Sequence, residues 1–367
     1  MRRSSDNWFI ALAVILVAAV GLAGCGAPAT TTAVPAKPPA QSVNLTGAGA
    51  TFPAPLYTKW FDEYYKLTGV KVNYQPIGSG GGISQITEGT VDFGASDGIM
   101  TEAQLTKAEA KNGPILHIPM TSGAVAVIYN VADITSGKLM LNGDVLANIY
   151  LKKISKWNDP AIAALNPGLK FPDAPIAVVY RSDGSGTTYI FTNYLSKISP
   201  EWKDKVGNAT SVKWVGDIGG EKSAGVAGQV QQVPNSIGYV ELAYALQNKL
   251  AMAKLKNAAG NFVEPSLAAT TRAAEGVTLP DDMKVMLTNS ANPDAYPIVG
   301  LTWILVYVNQ KDKDKGEALT RMLWWAIHEG QQYTGPLSYG SLAAPAVLKA
   351  ENAILSIKYQ GQPLITR

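Results

Sequence analysis

From residue 43 onward, the chain repeats a pattern in which a short apolar strand leads into a loop rich in Gly, Ser and Thr and then into an amphipathic helix. A helix is predicted wherever apolar residues return at a period near 3.6. The first such stripe consists of Leu56, Trp60, Phe61, Tyr64 and Leu67. Strands are predicted from apolar runs or from alternation, at 43–45, 70–74, 91–95, 176–180 and 303–308. Together these elements predict an open α/β sheet.

The loops that follow the early strands are candidates for a functional site. They are 46–52, 78–82 and 96–97, and a capping box formed by Thr101 and Gln104 begins the helix after the third loop. In open α/β sheets, ligands bind beyond the carboxyl ends of the strands. We therefore expect these loops to meet at one edge of the sheet.

A further loop, 181–188, reads Arg-Ser-Asp-Gly-Ser-Gly-Thr-Thr and lies between the predicted strand 176–180 and a helix. The first N–H groups of a helix lack intrahelical partners and carry the positive end of its dipole, and glycine lets a ligand approach the backbone. Ser185 and Thr187 add hydroxyl donors, and the planar guanidinium of Arg181 suits a tetrahedral oxyanion. From these residues alone, an anion site and an ordinary capped turn both remain open.

Length and composition favour two lobes. The chain has 367 residues, of which 47% are hydrophobic and 16% charged, and its net charge is +3. The sequence contains no basic run interleaved with aromatic residues, so we expect no nucleic-acid partner. Apolar runs in the sequence could carry the chain from one lobe to the other and back. We expect lobe I to comprise 43–118 and 297–367, and lobe II to comprise 119–296.

The amino terminus has the pattern of a targeting segment. A basic start at Arg2 and Arg3 precedes an apolar run, 8–20, that is short for a membrane span of about 20 residues. The following Leu-Ala-Gly-Cys resembles the lipobox of bacterial lipoproteins, which implies a signal peptide over 1–24 and lipidation of Cys25. No internal disulfide is possible because the chain has one cysteine. The Ala, Pro and Thr residues of 25–42 predict a flexible tether.

The sequence contains segments that resemble enzyme motifs, but each lacks a residue that the motif requires. The segment 216–223 ends like a P-loop, but Glu221 replaces the last glycine and would repel phosphate. The glycine patterns at 47–52 and 78–83 lack the third glycine of a dinucleotide fingerprint. His117 and His328 stand outside any recognisable nucleophile or zinc motif, so we interpret both as structural. We expect no metal, no cofactor and no enzymatic activity.

Several of these segments, taken together, resemble the phosphate-binding protein of the bacterial phosphate ABC transporter. The matching segments are 46–55, 78–79, 91–97, 181–187, 238–241 and 296–298. The resemblance implies a type II periplasmic-binding-protein fold, in which two α/β lobes joined by a two-crossing hinge close on one ligand. It also implies a monomeric, extracytoplasmic protein, lipid-anchored to the membrane, that captures inorganic phosphate and delivers it to permease and ATPase subunits for import.

The resemblance also assigns ligand contacts, residue by residue. Phe52 is expected to act through its backbone N–H, and Asp183 is expected to pair with Arg181. The phosphate contacts that it implies are Thr51, Phe52, Ser79, Asp97, Arg181, Ser185, Gly186 and Thr187.

Among these residues, Asp97 bears on selectivity. An ionised carboxylate only accepts hydrogen bonds, so it repels an anion that brings no proton. Protonated phosphate satisfies this condition and sulfate does not, which predicts rejection of sulfate. The alternatives left open are a phosphate-ester-handling enzyme such as a phosphatase, a binding protein for another oxyanion such as sulfate or molybdate, and a sensing or adhesive role.

Overall fold

The structure is a computed structural model that describes residues 43–366. The expected signal peptide over 1–24, the lipidation site Cys25 and the tether over 25–42 lie outside the described residues. Within 43–366, no helix combines the length and apolar character that a membrane crossing requires.

Strands and helices alternate along most of the described chain. The strands are β1 (Asn44–Gly49), β2 (Lys71–Pro76), β3 (Phe93–Ser96), β4 (Ile115–Asn130), β5 (Met140–Leu141), β6 (Ala177–Arg181), β7 (Ile218–Gly220), β8 (Ser236–Glu241), β9 (Ala251–Met252), β10 (Lys254–Lys256), β11 (Phe262–Val263), β12 (Val299–Tyr307), β13 (Lys358–Tyr359) and β14 (Gln362–Pro363). The helices are α1 (Ala54–Thr68), α2 (Ser79–Glu88), α3 (Glu102–Asn112), α4 (Gly143–Tyr150), α5 (Pro160–Leu165), α6 (Gly186–Ile198), α7 (Pro200–Lys205), α8 (Lys222–Gln232), α9 (Leu242–Gln247), α10 (Leu267–Ala274), α11 (Lys313–Ile327) and α12 (Ala344–Leu355). Short 3₁₀ helices cover Glu329–Tyr333 and Gly335–Leu337.

The main sheet has the strand order β2-β1-β3-β12-β4-β8-β6-β7, and β9 pairs with β4 at its side. Strands β1, β2 and β3 are parallel, and so are β6, β7 and β8. Strand β12 is antiparallel to both of its neighbours, β3 and β4. Smaller sheets join β5, β10 and β11, and β13 with β14.

Strand β4 connects two halves of the main sheet. Its first part, 115–124, pairs with β12, and its second part, 125–130, pairs with β8. We call β2, β1, β3 and β12 the first half of the sheet, and β8, β6 and β7 the second half. The apolar runs at 115–120 and 124–130 are thus parts of one strand. The polar residues between them pair with β12, and Ser122 also exchanges backbone hydrogen bonds with Gly340 (3.1 and 2.8 Å).

Glycines explain two corrections to the predicted elements. The first strand does not end at residue 45, since β1 continues to Gly49. A Cβ on Gly47 would lie 2.1 Å from the Phe93 ring, so the missing side chain there allows close packing between strands. The glycines of 80–82 lie inside α2 rather than in a loop, and a Cβ on Gly82 would lie 2.6 Å from the Gly49 Cα atom. These small residues let α2 pack directly on β1.

The helix stripe predicted for α1 is buried except at its end. Leu67 is 60% exposed, because it lies in the last turn before the left-handed Gly69 that terminates the helix. The capping box of Thr101 and Gln104 at the start of α3 is confirmed, with hydrogen bonds in both directions.

The expected meeting of loops at one sheet edge is confirmed. In the first half, the last residues of β1, Ala48 and Gly49, lie in register with the ends of β2 and β3. In the second half, Arg181 at the end of β6 lies in register with Gly220 at the end of β7. The turns after the two sets of strands also meet, since the Gly80 N–H donates to the Gly184 carbonyl at 2.9 Å.

Candidate functional site

The turn after β1 carries Thr51 and Phe52, both buried. The Thr51 hydroxyl lies 2.8 Å from the hydroxyl of Ser223 at the start of α8. The Tyr244 hydroxyl donates to the Thr51 carbonyl at 2.8 Å, and the Tyr339 hydroxyl donates to the Phe52 carbonyl at 2.7 Å. These contacts fix both peptide groups of the turn.

Ser79 and Asp97 lie next to each other at the starts of the segments that follow β2 and β3, and both are buried. The Ser79 hydroxyl oxygen accepts from the backbone N–H groups of Asp97 (3.2 Å) and Gly186 (3.0 Å). The Thr302 hydroxyl donates to Asp97 Oδ1 at 2.7 Å. Burial raises the pKa of Asp97 to about 7, although the Thr302 hydrogen bond and the charge of Arg181 oppose the rise. Asp97 therefore titrates near neutral pH.

Arg181 ends β6 with a fully buried guanidinium. Its Nε and Nη2 atoms donate to the two carboxylate oxygens of Asp183 at 2.7 and 2.5 Å, and its Nη1 atom donates to the Ser223 hydroxyl at 3.3 Å. Burial alone would raise the pKa of Asp183, but the hydrogen bonds and charge of Arg181 outweigh it and lower that pKa overall. Asp183 is thus the ionised partner that was expected, and it holds the guanidinium in one orientation.

Ser185, Gly186 and Thr187 form the start of α6. The Ser185 side chain caps the helix by accepting from the Thr188 N–H at 3.1 Å. The Thr187 hydroxyl is buried and has no hydrogen-bond partner among the residues that the structure describes. Buried polar atoms are nearly always hydrogen-bonded in proteins, so an orphaned hydroxyl here marks a position suited to a ligand atom.

The two halves of the sheet touch each other across this site. The backbone N–H of Gly80 donates to the Gly184 carbonyl at 2.9 Å, in addition to the Gly186–Ser79 hydrogen bond. The start of α2 and the segment 184–186 are therefore in direct contact.

Helices α2, α6 and α8 all begin at this site. Ser79 is the first residue of α2, Gly186 the first of α6 and Ser223 the second of α8. Each start carries the positive end of a helix dipole and N–H groups that lack intrahelical partners, and their convergence on Arg181 makes the site electropositive. This arrangement suits a small multivalent anion.

Sequence reasoning missed several residues of the site. Ser223 belongs to the segment 216–223, which is not a P-loop because Glu221 replaces the last glycine. The segment nevertheless ends in the site. A usable signal was present, because 216–223 also leads from a strand into a helix. Thr302, Tyr244 and Tyr339 gave no local signal, since they reach the site only through the fold.

Both histidines lie in structural surroundings. The Nε2 atom of buried His117 accepts from the Met100 N–H at 3.4 Å, and burial lowers the pKa of His117 to about 3. His328 lies within hydrogen-bond distance of the Trp324 carbonyl (2.8 Å) and of Glu351 (2.9 Å). In the described part of the chain, no group of three or more His, Cys, Asp or Glu side chains is arranged to hold a metal ion.

Comparison with known proteins identifies the family. A family model described as a PBP superfamily domain matches residues 30–321. A protein of Xylella fastidiosa (strain Temecula1) named phosphate-binding protein PstS is 45% identical over 330 residues, which are 89% of this chain and 89% of the relative. The chain belongs to the PstS family of phosphate-binding proteins. A PstS protein of Pasteurella multocida is likewise 45% identical, over 313 residues that cover 85% of this chain and 90% of that relative.

A solved structure supports the architecture. It is titled as a high-affinity periplasmic phosphate-binding protein (PfluDING) bound with phosphate, and it covers 89% of this chain and 100% of its own with a TM-score of 0.68. At 19% sequence identity this likeness bears on the fold alone. Together with the family match, it confirms the predicted periplasmic-binding-protein fold with two α/β lobes.

Proposed function

We propose that this chain captures inorganic phosphate between the two halves of its sheet and delivers it to the permease and ATPase subunits of an ABC transporter. The observation that carries this proposal is the convergence of the α2, α6 and α8 starts on buried Arg181, beside the orphaned Thr187 hydroxyl. The names of the relatives agree with phosphate as the ligand.

In the proposed site, the negative charge of phosphate is neutralised partly by Arg181 and partly by the helix dipoles. Phosphate at neutral pH carries up to about two negative charges, and Arg181 already shares its positive charge with Asp183. Fixed dipoles at the helix starts supply further compensation at little reorganisation. The proposed ligands are Thr51, Phe52 (through its backbone N–H), Ser79, Asp97, Arg181, Ser185, Gly186 and Thr187, and we add Ser223.

A titration tests this function directly. Isothermal calorimetry of the chain lacking residues 1–42 should show one phosphate bound per molecule. The same preparation should leave a phosphoester substrate unhydrolysed, because we propose a binding protein and not an enzyme. Phosphoester turnover that follows the protein through purification would favour the phosphatase alternative, and a flat titration with phosphate would remove the proposal.

We also propose that binding closes two lobes, 43–118 with 297–367 and 119–296, about a hinge formed by the crossings at β4 and before β12. A ligand that contacts both lobes selects the shut state, since the full set of contacts exists only there. The hydrogen bond from the Gly186 N–H to the Ser79 hydroxyl joins residues of the two proposed lobes and supports this closure.

Gly186→Ala should prevent this closure. A Cβ at this position would lie 2.4 Å from Asp97 Oδ2 and 2.6 Å from Ser79 Oγ, so the lobes must stay apart. We expect phosphate affinity to fall at least about tenfold, measured by calorimetry. The matched control is Gly228→Ala in α8, where an added Cβ has nothing within 4 Å. Equal affinities of the two variants would contradict the proposed approach of the lobes.

Outside the described residues, we propose that the chain is an extracytoplasmic monomer anchored through lipidated Cys25 after removal of 1–24. The basis is the lipobox-like tetrad at 22–25. Mass spectrometry of the chain recovered from cell membranes should find the acyl group on Cys25, and an unmodified cysteine there would count against the anchor.

A further inference from the structure

The hydroxyls of Tyr244 and Tyr339 hold the turn after β1 through its two carbonyl groups. The Thr51 carbonyl, which accepts from Tyr244, and the Phe52 N–H belong to one peptide group. Tyr244 therefore orients the N–H that the proposed function assigns to phosphate. A hydrogen bond to the carbonyl of a peptide also polarises its N–H and strengthens it as a donor. Tyr339 holds the next peptide through the Phe52 carbonyl, but the nitrogen of that peptide belongs to Pro53 and has no N–H, so this hydrogen bond only fixes the shape of the turn.

The single hydrogen of the Tyr339 hydroxyl bears on whether Glu241 is protonated. The Tyr339 oxygen lies 2.7 Å from the Phe52 carbonyl oxygen and 3.1 Å from Glu241 Oε2. A tyrosine hydroxyl has one hydrogen, and we assign it to the shorter of the two contacts, toward the Phe52 carbonyl, which can only accept. The hydrogen between Tyr339 and Glu241 must then come from Glu241. An ionised Glu241 has no such hydrogen and would place a second acceptor against the tyrosine oxygen.

The surroundings of Glu241 favour the same protonated state. Its side chain is completely buried at the end of β8; its Oε2 atom also accepts from the Ala243 N–H at 2.8 Å, and its Oε1 atom has no partner within 43–366. The titratable groups that act on it are Tyr339, Asp97 and Tyr244, all of which are acids. Burial raises the pKa of Glu241 well above its ordinary range, and the charge of Asp97 adds to the rise, although the hydrogen bonds with the Ala243 N–H and with Tyr339 oppose it.

We propose that Glu241 is a positioning residue that remains protonated and, by donating to Tyr339, holds the Thr51–Phe52 turn in the shape that receives the ligand. This inference rests on the proposed function, because it assigns the turn to phosphate. Glu241 itself contacts the turn only through Tyr339.

Infrared spectroscopy tests the proton without reference to the ligand. The wild-type protein should show the carbonyl band of a protonated carboxyl group at neutral and mildly alkaline pH, and Glu241→Gln should lack that band. Asp97 also titrates near neutral pH, so the comparison is made in an Asp97→Asn background. If the Glu241→Gln substitution removes no such band at any of these pH values, the inference is wrong.

Phosphate titration tests the effect on the turn. Tyr339→Phe removes the donor to the Phe52 carbonyl and should weaken phosphate binding about tenfold. Glu241→Gln should weaken it less, because one amide atom cannot both accept from Ala243 and donate to Tyr339. Tyr65→Phe on α1, where the side chain is 53% exposed, is the matched control and should bind like the wild type.

The pH profile separates positioning from a merely structural role. In alkaline solution Glu241 ionises and accepts the hydrogen bond that Tyr339 otherwise donates to the Phe52 carbonyl. The turn then loses this support, so the phosphate affinity of the wild type should fall. The affinity of Glu241→Gln should not show this fall. Tyr244→Phe provides a second test if Tyr339→Phe does not fold. Wild-type protein that fails to bind phosphate would remove the proposed function and leave the infrared result standing. Normal binding by both tyrosine variants would overturn only this inference.

Discussion

Arg181→Ala should remove most of the affinity of this protein for inorganic phosphate. Truncating one partner of a buried, hydrogen-bonded charge pair costs about 2–5 kcal/mol, or roughly 30-fold to 4,000-fold in the dissociation constant. Arg181 is buried, and its removal would also leave Asp183 without its guanidinium partner. A half-buried carboxylate would then repel the ligand that the arginine had attracted.

The hydrogen bonds of Arg181 leave donors for a ligand. A guanidinium has five N–H groups. Asp183 accepts from Nε and Nη2, and Ser223 accepts from Nη1, which accounts for three of them. Within these described contacts, one N–H remains on each terminal nitrogen, a spacing that suits two oxygens of one phosphate. Arg181→Lys keeps the charge but loses the fork, so its affinity should lie between those of the wild type and of Arg181→Ala.

Calorimetry of the three proteins measures these effects. The matched control is Arg272→Ala in α10, whose side chain is 51% exposed and pairs with Glu275. It should bind phosphate like the wild type, since surface ion pairs contribute little. An Arg181→Ala titration that matches this control would place Arg181 outside the binding site.

Local patterns were sufficient for the elements that build the site. The apolar stripe of α1, the cap of α3 and the strand before Arg181 depend on neighbours within a few residues, so the sequence shows them directly. The meeting of their loops follows from a general rule for parallel sheets. The strands β10 and β11, at 254–263, are too short to show a period, and β10 acquires its place by pairing with β5. The sequence pattern therefore gives no prediction for these two strands.

Hydrogen bonds between residues that lie far apart in the sequence could not be predicted from local patterns. Tyr339 reaches Phe52 over 287 residues, and Thr302 reaches Asp97 over 205. The pKa of Asp97 depends on complete burial, which only the assembled fold produces. The predicted rejection of sulfate requires an ionised carboxylate, whereas burial in the fold raises the pKa of Asp97 to about 7, so rejection of sulfate depends on pH.

Sulfate should therefore compete with phosphate only when Asp97 carries a proton. Burial raises the pKa of Asp97 to about 7, so below that pH the neutral carboxyl donates a hydrogen bond to a sulfate oxygen. Above it, the ionised carboxylate and the sulfate oxygen are two negatively charged acceptors in contact. Because sulfate binding then requires uptake of one proton, its affinity should fall by up to about tenfold for each pH unit above the pKa.

Phosphate should escape this penalty because it brings its own proton to the ionised carboxylate. In competition calorimetry, sulfate should displace phosphate measurably from the wild type in mildly acidic buffer and not in mildly alkaline buffer. In Asp97→Asn, the amide donates at every pH, so sulfate competition should become stronger in alkaline buffer and lose its dependence on pH.

The control for this series is Asp62→Asn on α1, whose carboxylate is 55% exposed and pairs with Lys66. It should reproduce the wild-type pH profile, because a screened surface charge has little effect on a buried site. Two results would refute the role given to Asp97. One is sulfate competition in the wild type that does not change with pH. The other is an Asp97→Asn profile identical to that of Asp62→Asn. Either result would mean that discrimination against sulfate arises from the donors around the anion and not from a carboxyl group that needs a shared proton.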